Sequence, residues 1–396
     1  MQATGTHEEH NLFYRIWNNK DARAVFIQII TVMIMLGFFA FLIRNAALNL
    51  EALGKTFGFE FLGQIAGYDI NQTMIEFDSR DTHLRAYFVG LLNTLLVAFM
   101  SVVAASILGF IFGVLRLSSN WLVSRLVYVY IEYARNVPLL LHILLIHGVL
   151  LGVLPRARQA LNFNDSVFLS NRGLYMPSPV FEDGAIYPAI MFIIAIIASV
   201  WFYRYAKKLQ ADTGKILPVF SIVAGMLIIL PVITFYLAGS PLSWDVPALK
   251  GLNFKGGVAI KPELLSLWLS LSLYTTCFIA EIVRAGILAI SWGQSEAAYA
   301  LGLRPNRTMQ LIVIPQALRV IVPPLTSQYL NVVKNSSLAL IIGYMDVVAT
   351  IGGISLNQTG REMECMIIVL STYLSISLLI SAFMNWYNKR TKLVER

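Results

Sequence analysis

Charged residues are scarce in this chain. Asp, Glu, Lys and Arg make up 13% of it, about half the roughly 25% usual in soluble domains. That shortage excludes an ordinary water-facing surface. Cysteine is nearly missing too. Cys277 and Cys365 are too few for a disulfide framework and lack metal-ligand spacing, so both read as inert thiols. The five histidines (His7, His10, His83, His142 and His147) include no HExxH pair. His142 and His147, five apart, read as packed or path-facing groups. The spans offer too few paired histidines or carboxylates for a membrane-embedded enzyme. A phosphate-cradling GxxxxGK[ST] loop is also missing. Its nearest approach is Gly54-Lys55-Thr56, with Asn49 where the upstream glycine is required. Any ATP chemistry therefore belongs to another polypeptide.

What is abundant is apolar sequence: 57% of the residues are hydrophobic, and they come in long runs rather than at amphipathic spacing. That is the mark of a polytopic membrane protein. The runs are 24–43, 87–115, 137–154, 187–203, 217–239, 264–290, 320–343 and 366–387, about eight spans. Gly109 and Gly113 stand at GxxxG spacing, which suits close helix packing. Pro231 predicts a kink in the fifth run, and 240–262, rich in Gly, Pro and Lys, reads as a loop. The net charge of +8 points to membrane topology and not to nucleic acid, because the basic residues cluster beside the runs. Arg204, Lys207, Lys208 and Lys215, and the tail with Lys389, Arg390, Lys392 and Arg396, place both termini in the cytoplasm. The loops 44–85, 155–186 and 240–262 then lie outside, although Arg44, Lys55, Arg80 and Arg85 make the first an imperfect fit.

The segment from Gly293 to Leu338 is unusually polar for its place between apolar runs. Ser291 and Gln294, or Ser295 alone, are candidate caps for a short helix, with Glu296 in its first turn. Gly302 is a natural stop, and Pro305 can open the next helical piece. The small Ala297 and Ala298 leave one face flat, suited to fitting a groove on a partner.

Glu296-Ala297-Ala298, three residues, Gly302, nine residues, then Ile312-Val313-Ile314-Pro315 resembles the EAA signature of ABC-importer permeases. It departs once, with Ile314 for Leu. Ala280-Glu281-Ile282-Val283-Arg284-Ala285-Gly286-Ile287, Pro315-Gln316-Ala317-Leu318-Arg319, Pro323-Pro324-Leu325 and Lys334-Asn335-Ser336-Ser337-Leu338 resemble the polar amino-acid branch of that family. So do Gly90-Leu91-Leu92-Asn93-Thr94 and Glu132 to Leu140, where Asn136 and Val137 depart from the common RGTPLL. The long central insertion resembles the Q-type subunit of general L-amino-acid (Aap/Bzt-type) transporters.

The resemblance implies an all-α integral membrane protein of about eight transmembrane helices, on a type I importer core with cytoplasmic coupling helices. Residues 1–86 would hold a cytoplasmic tail, the first span and a periplasmic loop. Residues 87–154 and 263–396 would form the core, with the coupling loop at 293–315, and 155–262 would be an insertion with two extra spans. The implied function is a permease that moves L-amino acids from periplasm to cytoplasm across the bacterial inner membrane by alternating access. It would itself do no bond chemistry and bind no cofactor or metal. ATP and Mg would be used by two separate ATPase subunits, docked on Glu296, Ala297, Ala298, Gly302, Arg304, Pro305 and Pro315. A second related permease (or a copy of this chain) and a periplasmic amino-acid-binding protein would complete the assembly.

For the substrate pathway, the candidates are Arg135, Pro138, Leu139, Leu140, Glu281, Lys334 and Asn335. Intramembrane charges are costly, and a helix starting inside the membrane at Pro138 would offer free N–H groups to a carboxylate. A simple kink is the alternative there. Glu281 and Arg284 have the alternative of pairing with each other. An ion-coupled secondary transporter is the rival function, expected to show an inverted repeat; the chain shows one clear break and no repeat.

Overall fold

A computed structural model describes residue 17, residues 19–52, residue 54 and residues 57–391. The stretch up to residue 16, with His7 and His10, the Lys55-Thr56 pair and the basic tail from Lys392 lie outside the described residues. The long helices are α1 (Lys20–Ala52), α2 (His83–Leu115), α3 (Trp121–Asn136), α4 (Leu139–Val153), α5 (Ile186–Thr213), α6 (Val219–Leu237) and α7 (Pro262–Leu288). There follow the short α8 (Trp292–Ala300) and α9 (Pro305–Thr308), then α10 (Ile314–Ser336), the short α11 (Leu356–Thr359) and α12 (Glu362–Thr391). Among the described residues, seven helices are long and apolar enough to cross a membrane, or eight if the bent pair α3–α4 is one span. The fold is therefore helical and multi-pass, as the runs of apolar sequence require. Helix α1 exposes apolar side chains all round, a surface that suits hydrocarbon and not water.

Helix α7 is the axis of the bundle. Leu264, Leu267 and Leu271 pack with Val97 of α2, Leu139 and Ile143 of α4, and Ala339 and Ile342. Further along, Ile279 and Val283 pack with Ala105 of α2 and with Ala317, Ile321 and Leu325 of α10. Glycines set these distances. A Cβ on Gly113 would stand 2.6 Å from the Val283 Cβ and 2.8 Å from the Ala280 oxygen, and one on Gly109 would overlap Ile279. The GxxxG pair thus lets α2 lie directly on α7.

Pro315 explains a second feature. It lacks the N–H of an ordinary helix residue and crowds the carbonyl four residues back. The chain responds with a π turn over Met309–Val313 immediately before α10. Pro323 and Pro324 lie on exposed positions inside α10 without ending it.

The connections read as loops in the sequence hold eight short strands. Between α4 and α5 run β1 (Leu161–Phe163), β2 (Val167–Ser170), β3 (Gly173–Met176) and β4 (Ser178–Phe181). Between α6 and α7 run β5 (Leu242–Asp245), β6 (Ala248–Lys250), β7 (Asn253–Lys255) and β8 (Val258–Ile260). The order β1-β2-β3-β8, with Tyr175 opposite Ala259, stitches the two connections together. A small core of Ala157, Tyr175 and Phe254 fixes them, with Phe168 stacked on Phe254 at 4.5 Å. The segment before α2 joins the same end, because the Lys261 N–H donates to Gln72 Oε1 at 3.1 Å. The bundle therefore has a strand end, where α7 begins, and a loop end, where α7 leads into α8.

Candidate functional site: a broken helix and an exposed loop

Asn120 caps α3 by accepting from the N–H groups of Leu122 and Val123 at 3.0 and 3.3 Å. The helix ends at Asn136. Val137 is extended (φ −103°, ψ 129°), as the residue before a proline prefers, and the chain turns through 109° into α4. Two contacts fix the depth of this break. The Tyr130 hydroxyl donates to the Leu273 oxygen at 2.6 Å, and Leu273 is near the middle of α7. The Ser270 hydroxyl reaches the His142 oxygen at 3.4 Å. Helix α4 thus starts halfway along α7. Its cap, Pro138, offers no side-chain hydrogen bond, and the N–H groups of Leu139 and Leu140 have no acceptor among the described residues. They constitute the positive end of a helix dipole inside the bundle. Arg135 and Pro138 are exposed, Leu140 is half-buried and Leu139 is buried.

His142, one turn into α4, is a residue the sequence reading did not place at the break. Its ring sits between Tyr133 and Tyr274, at 5.5 and 5.7 Å. Its Nδ1 lies 3.2 Å from the Pro138 oxygen, so Nδ1–H donates there, while the buried Nε2 has no partner among the described residues. The only sequence signal was a histidine four residues after a proline in an apolar run. His147 lies further out, with Nδ1 2.9 Å from the Ser266 hydroxyl.

Glu281 and Arg284 pair with each other. Arg284 Nε donates to both Glu281 oxygens at 2.9 and 3.0 Å, and Nη2 donates to Oε1. Arg135 and Arg116 also lie within electrostatic range of the Glu281 carboxylate. The pairing alternative is the one the geometry favours. Lys334 is exposed and has no ion-pair partner among the described residues, and Asn335 is half-buried. Leu139 and Ala339 share one apolar cluster, so Lys334, five residues before Ala339, stands about 8 Å along the helix towards the loop end. Arg135, Leu139, Leu140 and Glu281 thus gather along α7, and Lys334 and Asn335 stand on a separate helix. Asp346, also missed, is fully buried in the turn after α10, accepting from the Ala349 N–H at 2.8 Å and the Tyr373 hydroxyl at 2.9 Å.

An apolar groove of about 940 Å³ runs between α2 and α12, lined by Leu95, Phe99, Ile376 and Leu379 among others. None of the break residues lines it, and its chemistry suits hydrocarbon rather than a charged solute.

At the loop end, of the two cap positions the sequence offers, α8 takes Ser291 and not Ser295. It begins at Trp292, so Glu296 falls in the second turn, and Ser291 occupies the cap position without a side-chain bond. The cap is instead backbone only, the Gln294 N–H donating to the Ser291 oxygen at 3.1 Å. Its C-terminus is as expected. The Gly302 N–H donates to the Tyr299 oxygen at 2.9 Å and the Leu303 N–H to the Ala298 oxygen at 3.1 Å, with Gly302 at φ +79°. That is a Schellman closure, for which a left-handed glycine is suited. Pro305 opens α9. Ala298 is buried against the bundle, whereas Glu296, Ala297, Gly302, Arg304, Pro305 and Pro315 are exposed. Trp292 is 69% exposed and Leu301 82%.

Residues 208–393 match the family model described as the binding-protein-dependent transport system inner membrane component. The chain is 49% identical over 378 residues to the putative amino-acid ABC transporter permease protein YhdX of Escherichia coli (strain K12), covering 96% of each chain. It is 47% identical to the general L-amino acid transport system permease protein AapQ of Rhizobium johnstonii, covering 94% of this chain and 93% of that one. The chain belongs to the amino-acid ABC-transporter permeases. A third relative, the glutamate/glutamine/aspartate/asparagine transport system permease protein BztB of Rhodobacter capsulatus, is 47% identical over 94% of this chain and 95% of its own. Among solved structures, a chain of an amino acid ABC transporter crystallised with histidines is similar at TM-score 0.46 and 20% identity, over 78% of this chain and 95% of that one. As a permease, the chain is a transport component and not the ATP-hydrolysing one. The ion-coupled alternative finds no support among these relatives.

Proposed function

We propose that this permease carries L-amino acids inward, and that the break at Val137-Pro138 holds the substrate carboxylate. One observation carries the reading: α4 begins inside the bundle with the Leu139 and Leu140 N–H groups without an acceptor among the described residues. Two orphan N–H groups at a dipole's positive end stabilise an anion, and every amino acid supplies one. His142 Nε2, buried without a partner among the described residues, adds a polar atom one turn away. The names of AapQ and BztB agree with a polar or broad range of amino acids.

The remaining parts follow from this reading. Two ATPase subunits dock on residues 293–315, at Glu296, Ala297, Ala298, Gly302, Arg304, Pro305 and Pro315. They use ATP and Mg, and this chain binds neither. A second related permease or a copy of this chain completes the pathway. A periplasmic binding protein delivers the substrate at the strand end. The loop end and both termini face the cytoplasm of a bacterial inner membrane, the strand end the periplasm. Residues 87–154 and 263–396 act as the core, with 1–86 and 155–262 added to it. Lys334 and Asn335 contact the path from the side opposite the break.

The test is uptake in proteoliposomes by the complete transporter with His142→Phe, which keeps an aromatic ring and removes both nitrogens. The expected result is a raised KM for amino acids with ATP binding unaffected. Unchanged KM here, together with unchanged uptake when Pro138→Ala removes the break, would place the carboxylate elsewhere.

A further inference from the structure

A polar cavity of about 390 Å³ lies at the strand end, with Leu151 in its lining near the opposite end of α4 from the break. Its lining includes Asn71, Asn171, Arg172, Asn253, Lys261 and Glu263, drawn from four separate stretches of chain. The volume is at the low end of the ~300–1,000 Å³ range of small-ligand pockets. Its composition is unusual for such a pocket, with two cations, one carboxylate and three carboxamides. Arg172, Lys261 and Glu263 take part in none of the ion pairs among the described residues. They are oppositely charged groups at one cavity, not neutralised by direct pairing.

The fold holds these groups in place. Asn171 and Arg172 form the two-residue turn between β2 and β3, because Ser170 pairs with Gly173. Gly173 (φ +120°) has no room for a Cβ against the Ile260 backbone, so the turn is pressed onto β8. The Tyr175 hydroxyl anchors both sides, donating to Asn253 Oδ1 at 2.8 Å and to the Arg172 oxygen at 3.3 Å. Burial raises the Tyr175 pKa, keeping that hydroxyl a donor at neutral pH. With Oδ1 of Asn253 engaged, its Nδ2 donors remain for a guest. Opposite, Lys261 is held through its N–H to Gln72, and Glu263 lies in the first turn of α7.

We infer that this cavity is a binding site for a free α-amino acid as its zwitterion. Arg172 and Lys261 take the carboxylate, Glu263 takes the ammonium, and the asparagines accept or donate to both groups. A simple anion would meet Glu263, and a simple amine would meet two cations; the zwitterion satisfies both signs. Asn171, Arg172 and Asn253 come from the strands of the inserted connections, whereas Asn71 precedes α2, Leu151 is on α4 and Glu263 is on α7, so the site lies where those strands meet the strand end of the helices. The assignment rests on the amino-acid reading of transport proposed above. It adds a waiting position at the strand end from which solute enters the path.

The test uses the full-length chain with its partner subunits in nanodiscs, without binding protein. Leu151, which also lines the cavity and is exposed, is replaced as Leu151→Cys. The native Cys277 and Cys365 are fully buried, so a charged maleimide reports on position 151. With L-glutamine at about ten times its Kd, mass action slows alkylation by about an order of magnitude. N-acetyl-L-glutamine, which lacks the ammonium, gives no slowing. Arg172→Gln and Glu263→Gln abolish the protection by L-glutamine, and Arg172→Lys keeps part of it. Equal rates with and without L-glutamine and with L-glutamate overturn the site, as does protection that survives both glutamine substitutions. Uptake by the same preparation, supplied with binding protein and ATP, separates the two readings. Uptake without protection removes only this site, and protection without uptake of any amino acid removes only the transport reading.

Discussion

Replacing Gly302 tests the loop end in a graded way. At φ +79° the residue occupies the left-handed region, which costs an L-residue about 1–2 kcal/mol. A Cβ there would meet nothing within 4 Å, so the cost is in the backbone and not in a clash. Gly302→Val therefore leaves the bundle intact but favours conformations in which the turn from α8 to α9 opens. Losing 1.4 kcal/mol shifts such an equilibrium about tenfold. Asn tolerates this region far better than a β-branched residue does, so Gly302→Asn stays near wild type. The assay is paired: amount of permease in the membrane, and the ratio of amino acid taken up to ATP hydrolysed in proteoliposomes. Expected are unchanged protein levels in both variants, with a coupling ratio several-fold lower for Val and close to wild type for Asn. Equal coupling in Val and Asn variants would refute the claim that the Schellman turn shapes the docking surface. So would loss of Val protein from the membrane, because it would mean that the turn supports the fold.

Other substitutions separate packing from transport. Gly113→Val would press on Val283 and the Ala280 carbonyl. Overpacking of this kind costs about 1–3 kcal/mol, so less permease survives detergent extraction and heating, while Gly148→Val, with open space around it, is neutral in the same melt. Glu281 and Arg284 are each 31% exposed, so solvent screening holds their coupling to about 0.5–1 kcal/mol, read from a double-mutant cycle of melting in detergent. His142→Phe removes both ring nitrogens, Nδ1 with its bond to the Pro138 oxygen and the buried Nε2; the loss of one hydrogen bond to substrate, at about 1–1.5 kcal/mol, raises the uptake KM roughly five- to tenfold.

The helical bundle was legible because membrane spans announce themselves. Each must satisfy its own backbone in hydrocarbon, so composition and length locate them, and the eight apolar runs coincide with the helices of the fold. The loop at 293–315 was legible because glycine and proline act through local dihedral preferences, which Gly302 and Pro305 display. The sequence left the start of α8 between Ser291 and Ser295, because Ser291 holds the cap position through its backbone, for which its side chain gives no signal. The strands of the inserted connections were illegible for a different reason. They are three or four residues long and pair across the chain, β3 with β8, so local pattern carries little of their register. The place of His142 at the break and the cavity around Arg172 were missed on the same ground, because the groups that define them meet only in three dimensions. Pro138 was visible as a break, but its depth depends on Tyr130 reaching Leu273.

The central claim is that the exposed face of α8 joins this permease to its energy source. Extraction in mild detergent, followed by purification through a tag on this chain, tests it directly. An ATP-hydrolysing subunit should co-purify with the wild-type permease and be lost with Ala297→Arg, which places a charged side chain on the flat exposed face while the bundle stays folded. Retention of that subunit in equal amount by the Ala297→Arg permease, or its absence from the wild-type preparation, would contradict the account.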